Sequence, residues 1–294
     1  MFDIIGDIHG YSDQLEALLL KLGYRKEGGV YFHPHRTVLF LGDYINKGPK
    51  IKATLVIVKA MADKGSAIAL LGNHEFNAIR DLFRLENEGL SPNQSFQWED
   101  SLLAFNNNLN EFKYYVDWFK SLPLFYEDNR FRAVHACWDP EHIAHIRHKR
   151  SKDAGPEDLI ATDPEWNKAL TETLNGKDLE LPENVSIPEN GLEAGTGVRA
   201  KWWEDPSRMT YKAFSVDPLD LPDIPVDLSG IKDWKYYGED EKPVFFGHYG
   251  RARFSSLIRH NVCCLDFGVG NGGSLAAYRM DESSKLSHDN LKYV

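Results

Sequence analysis

Five apolar runs in this chain end in the same way. The segments Gly6-Asp7-Ile8-His9-Gly10, Gly42-Asp43-Tyr44, Gly72-Asn73-His74-Glu75, His135-Ala136 and Gly247-His248 each place Asp, Asn or His just past a run that reads as a strand. Side chains at strand ends gather where open α/β sheets build their sites. Carboxylates carry charge and can bridge two cations, while imidazoles and an amide oxygen complete the shells of two closely spaced divalent metals. The pattern therefore limits the fold to one in which these strand ends converge.

The stretches between the segments predict an α/β chain. Phe2–Ile5 reads as a strand, and Ser12 as the N-cap of a helix with Leu15, Leu18, Leu19 and Leu22 on one face. Thr37–Leu41 is the next strand, and Pro49 is expected in the first turn of a helix reaching about Lys64. Ala67–Leu71 and a helix from His74 to about Leu85 follow. This alternation implies parallel strands with helices on their faces. It breaks at about 87–122, where Gly89, Pro92 and Asn106-Asn107-Asn108 punctuate the chain. There Trp98, Phe105, Phe112, Tyr114, Trp118 and Phe119 supply the apolar weight of a helical insertion. Leu124–Glu127 and Phe131–His135 flank Asp128-Asn129-Arg130 as a hairpin. Residues 139–242 are rich in Pro, Asp and Glu, with helices near 140–150 and 164–175 and an extended loop over Asp217–Pro225. Strands resume at Val244–Phe246, Val262–Asp266 and Ser274–Met280. The glycines at 268, 270, 272 and 273 read as a turn, since no Gly-Lys-Ser/Thr or helix follows them. One domain over 1–294 is expected, with insertions at about 87–122 and 139–242.

With 294 residues and 42% hydrophobic side chains, the chain can bury such a core. No apolar stretch approaches a membrane span, and no secretory leader is expected before Phe2. A net charge of −10 argues against nucleic-acid binding, which needs cationic surface to displace counterions. Phosphate substrates stay open, because bound divalent cations supply local positive charge. The basic run His145-Ile146-Arg147-His148-Lys149-Arg150 reads as a solvated helix end. Cys137, Cys263 and Cys264 form no disulfide framework, and a reducing cytoplasm is the expected compartment. Cys137 has no C-x-x-C partner and is expected to pack rather than to ligate.

Taken in order, the five segments resemble the calcineurin-like metallophosphoesterase superfamily. The likeness is to its branch of serine/threonine protein phosphatases and symmetrical diadenosine tetraphosphatases. That branch shows Gly-Asp-x-His-Gly, Gly-Asp-x-x-Asp-Arg-Gly, Gly-Asn-His-Glu, a later His and a final Gly-His. The resemblance is close over residues 3–80 and returns at 131–138, 243–249 and 261–279. It implies a four-layer α/β/β/α sandwich and hydrolysis of phosphoric esters or anhydrides with two divalent metals. It implies Asp7 and His9 on the first metal, Asp43 as the bridge, and Asn73, His135 and His248 on the second, with His74 as proton donor to the leaving oxygen. Manganese is the expected ion; Fe, Zn and Co also suit these donors.

Two positions depart from the branch. Asn46 stands where the family has the Asp that orients His74, and Lys47 where it has Arg. Asn46 is expected to accept a hydrogen bond from His74 but carries no charge, so it stabilises an imidazolium less. Lys47 attracts a phosphate oxygen without the bidentate fork of Arg. A weaker proton donor suits a nucleotide phosphate leaving from an anhydride, whose last pKa is roughly 6, better than a serine alkoxide. A dinucleoside polyphosphate or other nucleotide is therefore the expected substrate. A phosphoprotein is the alternative, and a non-catalytic scaffold with the same fold is the reading from another class. Arg199, in Gly195-Thr196-Gly197-Val198-Arg199, is expected as a second phosphate contact and Tyr249 as part of the pocket lining. Trp202 and Trp203 are expected to pack, and Asp266 to be structural.

Overall fold

The central strands read as continuous apolar runs because both of their faces are buried. The computed structural model describes residues 1–87, 99–150, 159, 163–182, 197–231, 234–250, 256–281 and 285–294. Trp98, Gly195 and Thr196 lie outside these residues. In chain order the elements are β1 (Phe2–Ile5), α1 (Ser12–Lys21), β2 (Arg25–Glu27), β3 (Val30–Phe32), β4 (Thr37–Phe40), α2 (Ile51–Asp63), β5 (Ala67–Ala69) and α3 (Asn73–Asn87). Then come α4 (Glu99–Ala104), α5 (Leu109–Lys120), β6 (Phe125–Glu127), β7 (Arg132–Val134), α6 (Pro140–Arg150), α7 (Pro164–Asn175), β8 (Asp178–Glu180) and β9 (Gly197–Arg199). The chain closes with α8 (Tyr211–Phe214), β10 (Val244–Phe246), β11 (Leu257–Arg259), β12 (Val262–Cys264), β13 (Ala276–Arg279) and β14 (Leu291–Tyr293).

Two five-stranded sheets result, ordered β14-β13-β1-β4-β5 and β11-β12-β10-β7-β6. In the first, β1, β4 and β5 run parallel; in the second, β7, β10 and β12 do. Side chains alternate between faces along each strand. Ile4, Leu39 and Leu70 of the first sheet meet Phe131, Ala133, Phe245 and Cys263 of the second in a layer between the sheets. The neighbours Ile5, Val38 and Phe40 point outward, to Leu15, Leu18 and Leu19 of α1 and to Leu55 and Val58 of α2. On the far side Val134, Val244, Phe246 and Val262 pack under Ile143 of α6 and under Trp202 and Trp203. Each such side chain, fully buried, contributes about 1.5–3 kcal/mol. The molecule is an α/β sandwich of the expected class.

Local details differ from the sequence reading. Tyr11, not Ser12, caps α1: Leu15 N donates to the Tyr11 carbonyl, and no side chain caps the helix. Pro49 precedes α2, whose N-cap is Lys50; the Lys50 N–H is held by the Gly10 carbonyl at 2.9 Å, which ties this segment to the first loop instead of the helix. The insertion at 87–122 supplies α4 and α5, and Phe105, Phe112 and Phe119 are buried in the first sheet's outer core. Tyr114 is exposed. The basic run is an exposed helix end with two of its cations paired: Arg147, itself exposed, meets Glu127 at 2.7 Å, and Lys149 meets Asp163 at 3.1 Å over the Trp166 ring. All three cysteines are buried, and burial pushes the Cys137 thiol well above its ordinary value, so it is inert packing. Among the described residues no helix is long and apolar enough to cross a membrane.

Candidate metal centre

The parallel strands deliver their next residues to one place. Asp7 and His9 follow β1, Asp43 follows β4, Asn73 follows β5 as the first residue of α3, His135 follows β7, and His248 follows β10. The glycines before these residues provide clearance. A Cβ on Gly247 would lie 2.0 Å from Asp7 Oδ1, and one on Gly42, whose φ is +107°, would lie 2.6 Å from Gly72 Cα. The site backbone is strained. His9, Asp43, Asn46, Lys47 and His248 all adopt φ between 47° and 69°. Non-glycine residues enter this region at a cost of order 1–3 kcal/mol each, and only where the surroundings enforce it. Here the enforcement is visible. Ile8 and His9 donate to the Asp43 carbonyl at 3.0 and 2.8 Å. The buried Glu75 carboxylate accepts from the N–H groups of Asp43, Tyr44, Ile45 and Gly72 at 2.8–3.2 Å.

Asp43 stands at the middle. Its Oδ2 lies 3.5 Å from His9 Nε2 and 3.8 Å from His74 Nε2, while its Oδ1 lies 3.4 Å from His135 Nε2. Asn73 Oδ1 sits 2.9 Å from His135 Nε2 and 3.1 Å from His248 Nδ1. The ligand atoms of His9, Asp43 and His74 fall within 4.8 Å of one another, as do those of Asp43, His135 and His248. A cavity of about 260 Å³ opens over them, lined by Asp7, His9, Asp43, Lys47, His74, Arg199, His248, Gly250, Asp266 and Asn271.

Several observations fit this donor set to divalent cations. His9 Nδ1–H donates to the Ile45 carbonyl at 3.0 Å and His135 Nδ1–H to the Leu41 carbonyl at 2.8 Å, so each Nε2 presents a lone pair inward. Asn73 Oδ1 faces His135 Nε2, His248 Nδ1 and the Asp43 carboxylate, an acceptor among acceptors. Turned over, its amide would donate to all of them; a cation among these acceptors favours the oxygen instead. Asp7 Oδ1 is buried without a donor among the described residues. The Lys47 ammonium lies 2.8 Å from His9 Nε2, a positive charge standing where a metal ion would.

Electrostatics point the same way. Burial, then the carboxylates of Asp266 and Asp43, push Asp7 well above the usual carboxylate range. Burial alone would raise Asp43 too, but the imidazoles of His135, His74, His9 and His248 hold it well below. Burial lowers His9, brings His74 down to about 4 and pushes His248 well below its ordinary value. Imidazoles that release their protons readily beside crowded carboxylates suit cation binding, because metal ligands bind deprotonated.

Of the other residues singled out in the sequence, Lys47 and Arg199 line the cavity. Arg199 reaches it from β9, paired to Asp217 at 2.9 Å. Tyr249 does not line it. It is 2% exposed, packs edge-on against His248, and lies under the Arg199 guanidinium, so it supports the wall from behind. Trp202 and Trp203 are buried against Phe246. Asn46 corrects an expectation: its Nδ2 faces His74 Nδ1 at 2.6 Å, so it donates where it was expected to accept. Asp266 accepts from Gly250 N at 2.6 Å and Gly268 N at 2.9 Å, which is structural work, yet it also borders the cavity. Sequence reading gave Glu75 no role, although it sits in a recognised segment. It missed Ser101, whose hydroxyl lies 2.5 Å from Asn46 Oδ1; no local signal marks it.

A family model of calcineurin-like phosphoesterases matches residues 1–248. A symmetrical bis(5'-nucleosyl)-tetraphosphatase of Janthinobacterium sp. (strain Marseille) is 25% identical over 284 residues, 96% of this chain and 93% of its own length. An asymmetrical bis(5'-nucleosyl)-tetraphosphatase of Oceanobacillus iheyensis is 30% identical over 156 residues, 51% of this chain and 61% of the relative. Among solved structures, a protein serine/threonine phosphatase from Saccharomyces cerevisiae shares the fold at a TM-score of 0.50 and 15% identity, covering 100% of this chain and 78% of that one. On the family match and the ligand geometry together, the chain belongs to the calcineurin-like phosphoesterases and is a metal-dependent phosphoester hydrolase.

Proposed function

We propose that this enzyme hydrolyses a nucleotide phosphoanhydride, with dinucleoside polyphosphates as its substrate class. The observation that carries its two-cation hydrolytic part is Asp43, whose two oxygens face different imidazoles. Asp7 and His9 would hold one cation, Asp43 would bridge, and Asn73, His135 and His248 would hold the other. Bound there, two divalent cations supply charge for the phosphoryl oxygens and acidify water near neutral pH. Lys47 and Arg199 border the same cavity and bind the remaining phosphoryl oxygens; Asp217 keeps Arg199 extended toward it. His74 points its Nε2 into the site and meets the leaving oxygen. Mn is the ion we expect, and the unpaired thiols support a cytoplasmic location.

The match along nearly the whole length of a symmetrical tetraphosphatase supports cleavage of a dinucleoside tetraphosphate into two nucleoside diphosphates. The first test is p-nitrophenyl phosphate hydrolysis by metal-stripped protein with and without Mn²⁺, beside Asp43→Asn. Metal-dependent turnover that vanishes in the variant is the expected result. A dinucleoside tetraphosphate is then compared with a phosphoserine peptide. Preference for the peptide overturns the nucleotide reading.

A further inference from the structure

Behind His74 lies a buried relay from the first insertion. Ser101 of α4 is 0% exposed and Asn46 is 4% exposed. Ser101 Oγ accepts the Asn46 backbone N–H at 3.2 Å, and its own proton has Asn46 Oδ1 as acceptor at 2.5 Å. With Oδ1 so engaged, Asn46 turns Nδ2 toward His74 Nδ1, 2.6 Å away. If the amide were turned over, the Ser101 proton would lose that acceptor. An amide N–H can only donate, so His74 Nδ1 must carry the lone pair and Nε2 the proton. Nε2 is the nitrogen that faces Asp43 and the cavity.

We propose that Ser101, acting through Asn46, fixes His74 as the neutral Nε2–H tautomer and so selects leaving groups that depart as stable anions. This rests on the phosphoanhydride reading above. In the reaction a water oxygen bonds to phosphorus, the bond to the leaving oxygen breaks, and its electron pair stays on that oxygen. The surplus proton of the water passes to solvent. His74 steadies the leaving oxygen with a hydrogen bond from Nε2–H, while its Nδ1 faces the Asn46 amide donor rather than an acceptor. A phosphoanhydride leaving group, with a last pKa of roughly 6, departs on those terms, whereas an alkoxide needs the proton transferred. A carboxylate at position 46 would accept from Nδ1–H and restore that transfer. Ser101 and Asn46 are thus positioning residues.

The test is ¹⁵N-histidine NMR on the protein, metal-free and loaded with diamagnetic Zn²⁺, with His74→Gln to identify the resonance. The wild type should show an unprotonated Nδ1 and a protonated Nε2. Ser101→Ala should shift the population toward Nδ1–H and lower kcat on p-nitrophenyl phosphate about tenfold, the weight of one net hydrogen bond, with KM held. Asn46→Asp should raise turnover of an alkyl phosphate relative to aryl phosphates, flattening the dependence of kcat/KM on leaving-group pKa. A protonated Nδ1 in the wild type overturns the proposal, as does an unchanged leaving-group dependence in Asn46→Asp. Absence of turnover on every phosphate would sink the functional reading while leaving the tautomer to be read from the spectrum.

Discussion

Among the described residues two clusters of ligand-type side chains stand out, and their geometry alone does not separate them. The ligand atoms of Asp43, His135 and His248 at the strand ends, and of Asp139, His142 and Glu172 beside α6 and α7, each fall within 4.8 Å of one another. Their surroundings differ. In the second cluster Lys177 meets Asp139 at 2.5 Å and Glu172 at 3.9 Å, with its ammonium 4.8 Å from the Trp234 ring centre. His142 Nε2 pairs with Glu172 at 2.8 Å, and Asp139 Oδ1 accepts from the first N–H groups of α6. The acceptors are matched to donors, and the cation is a side chain. In the first cluster Lys47 meets His9 Nε2 at 2.8 Å, but the other donors are withheld: two imidazoles spend Nδ1–H on backbone carbonyls, Asn73 faces lone pairs, and Asp7 Oδ1 has no donor among the described residues. Such side chains make a metal site where the fold denies them other partners.

The largest effect should come from the shared carboxylate. Asp43→Asn is expected to cut metal-dependent turnover on the order of 10³-fold, since charge stabilisation by the cations is worth several kcal/mol. Elemental analysis should show fewer than two metals per chain. Next, Lys177→Met removes the built-in cation and leaves Asp139 buried and unpaired, at a cost of about 3 kcal/mol. That should lower Tm by roughly 10 °C, and adding Asp139→Asn should recover much of it. If the Lys177→Met protein kept its Tm, the second cluster would not depend on its lysine. A smaller effect is expected of Gly247→Ala, whose Cβ would displace Asp7. Metal affinity, followed by competition with a chelator, should fall roughly 10- to 100-fold while the melting curve changes little.

The smallest effect concerns Glu127, another acid matched by side-chain cations. Burial alone would raise it, but hydrogen bonds from Arg132, Arg147 and Lys242 hold it at about 2. Its folded value lies below its unfolded value of 4.5, so its stabilisation is complete above about 4.5 and is lost as pH falls toward about 2. Glu127→Gln should lower stability modestly at neutral pH, since solvent screens this partly exposed group, leave stability near pH 2 nearly unchanged, and so flatten the acid limb in that window.

Much of this was legible in the chain before any coordinates. The candidate ligands follow apolar runs directly, and glycine stands beside most of them because the strand ends pack too closely for a Cβ. Helix α7 was equally plain, with Asp163 capping it and Pro164 opening it. The cap of α1 was misread because the loop held by Asp43 and Tyr44 places Tyr11 first. Tyr249 was misassigned because adjacency to a ligand says nothing of which side of a sheet a ring packs on.

The sequence by itself marked the central strands, the candidate ligands beside them and the family, but not the short strands β2, β3, β8, β9, β11 and β14. Apolar runs and helical spacing are local properties that neighbouring residues set. Only the tertiary structure decided what each polar group faces. Ser101 meets Asn46 across 55 residues and Lys177 meets Asp139 across 38. Arg199 reaches the cavity through a two-stranded sheet in which it pairs with Asp178. Whether an amide donates or accepts, and whether an acid finds a lysine or waits for a metal, depends on partners brought together by packing over long stretches of chain. No local pattern records that choice.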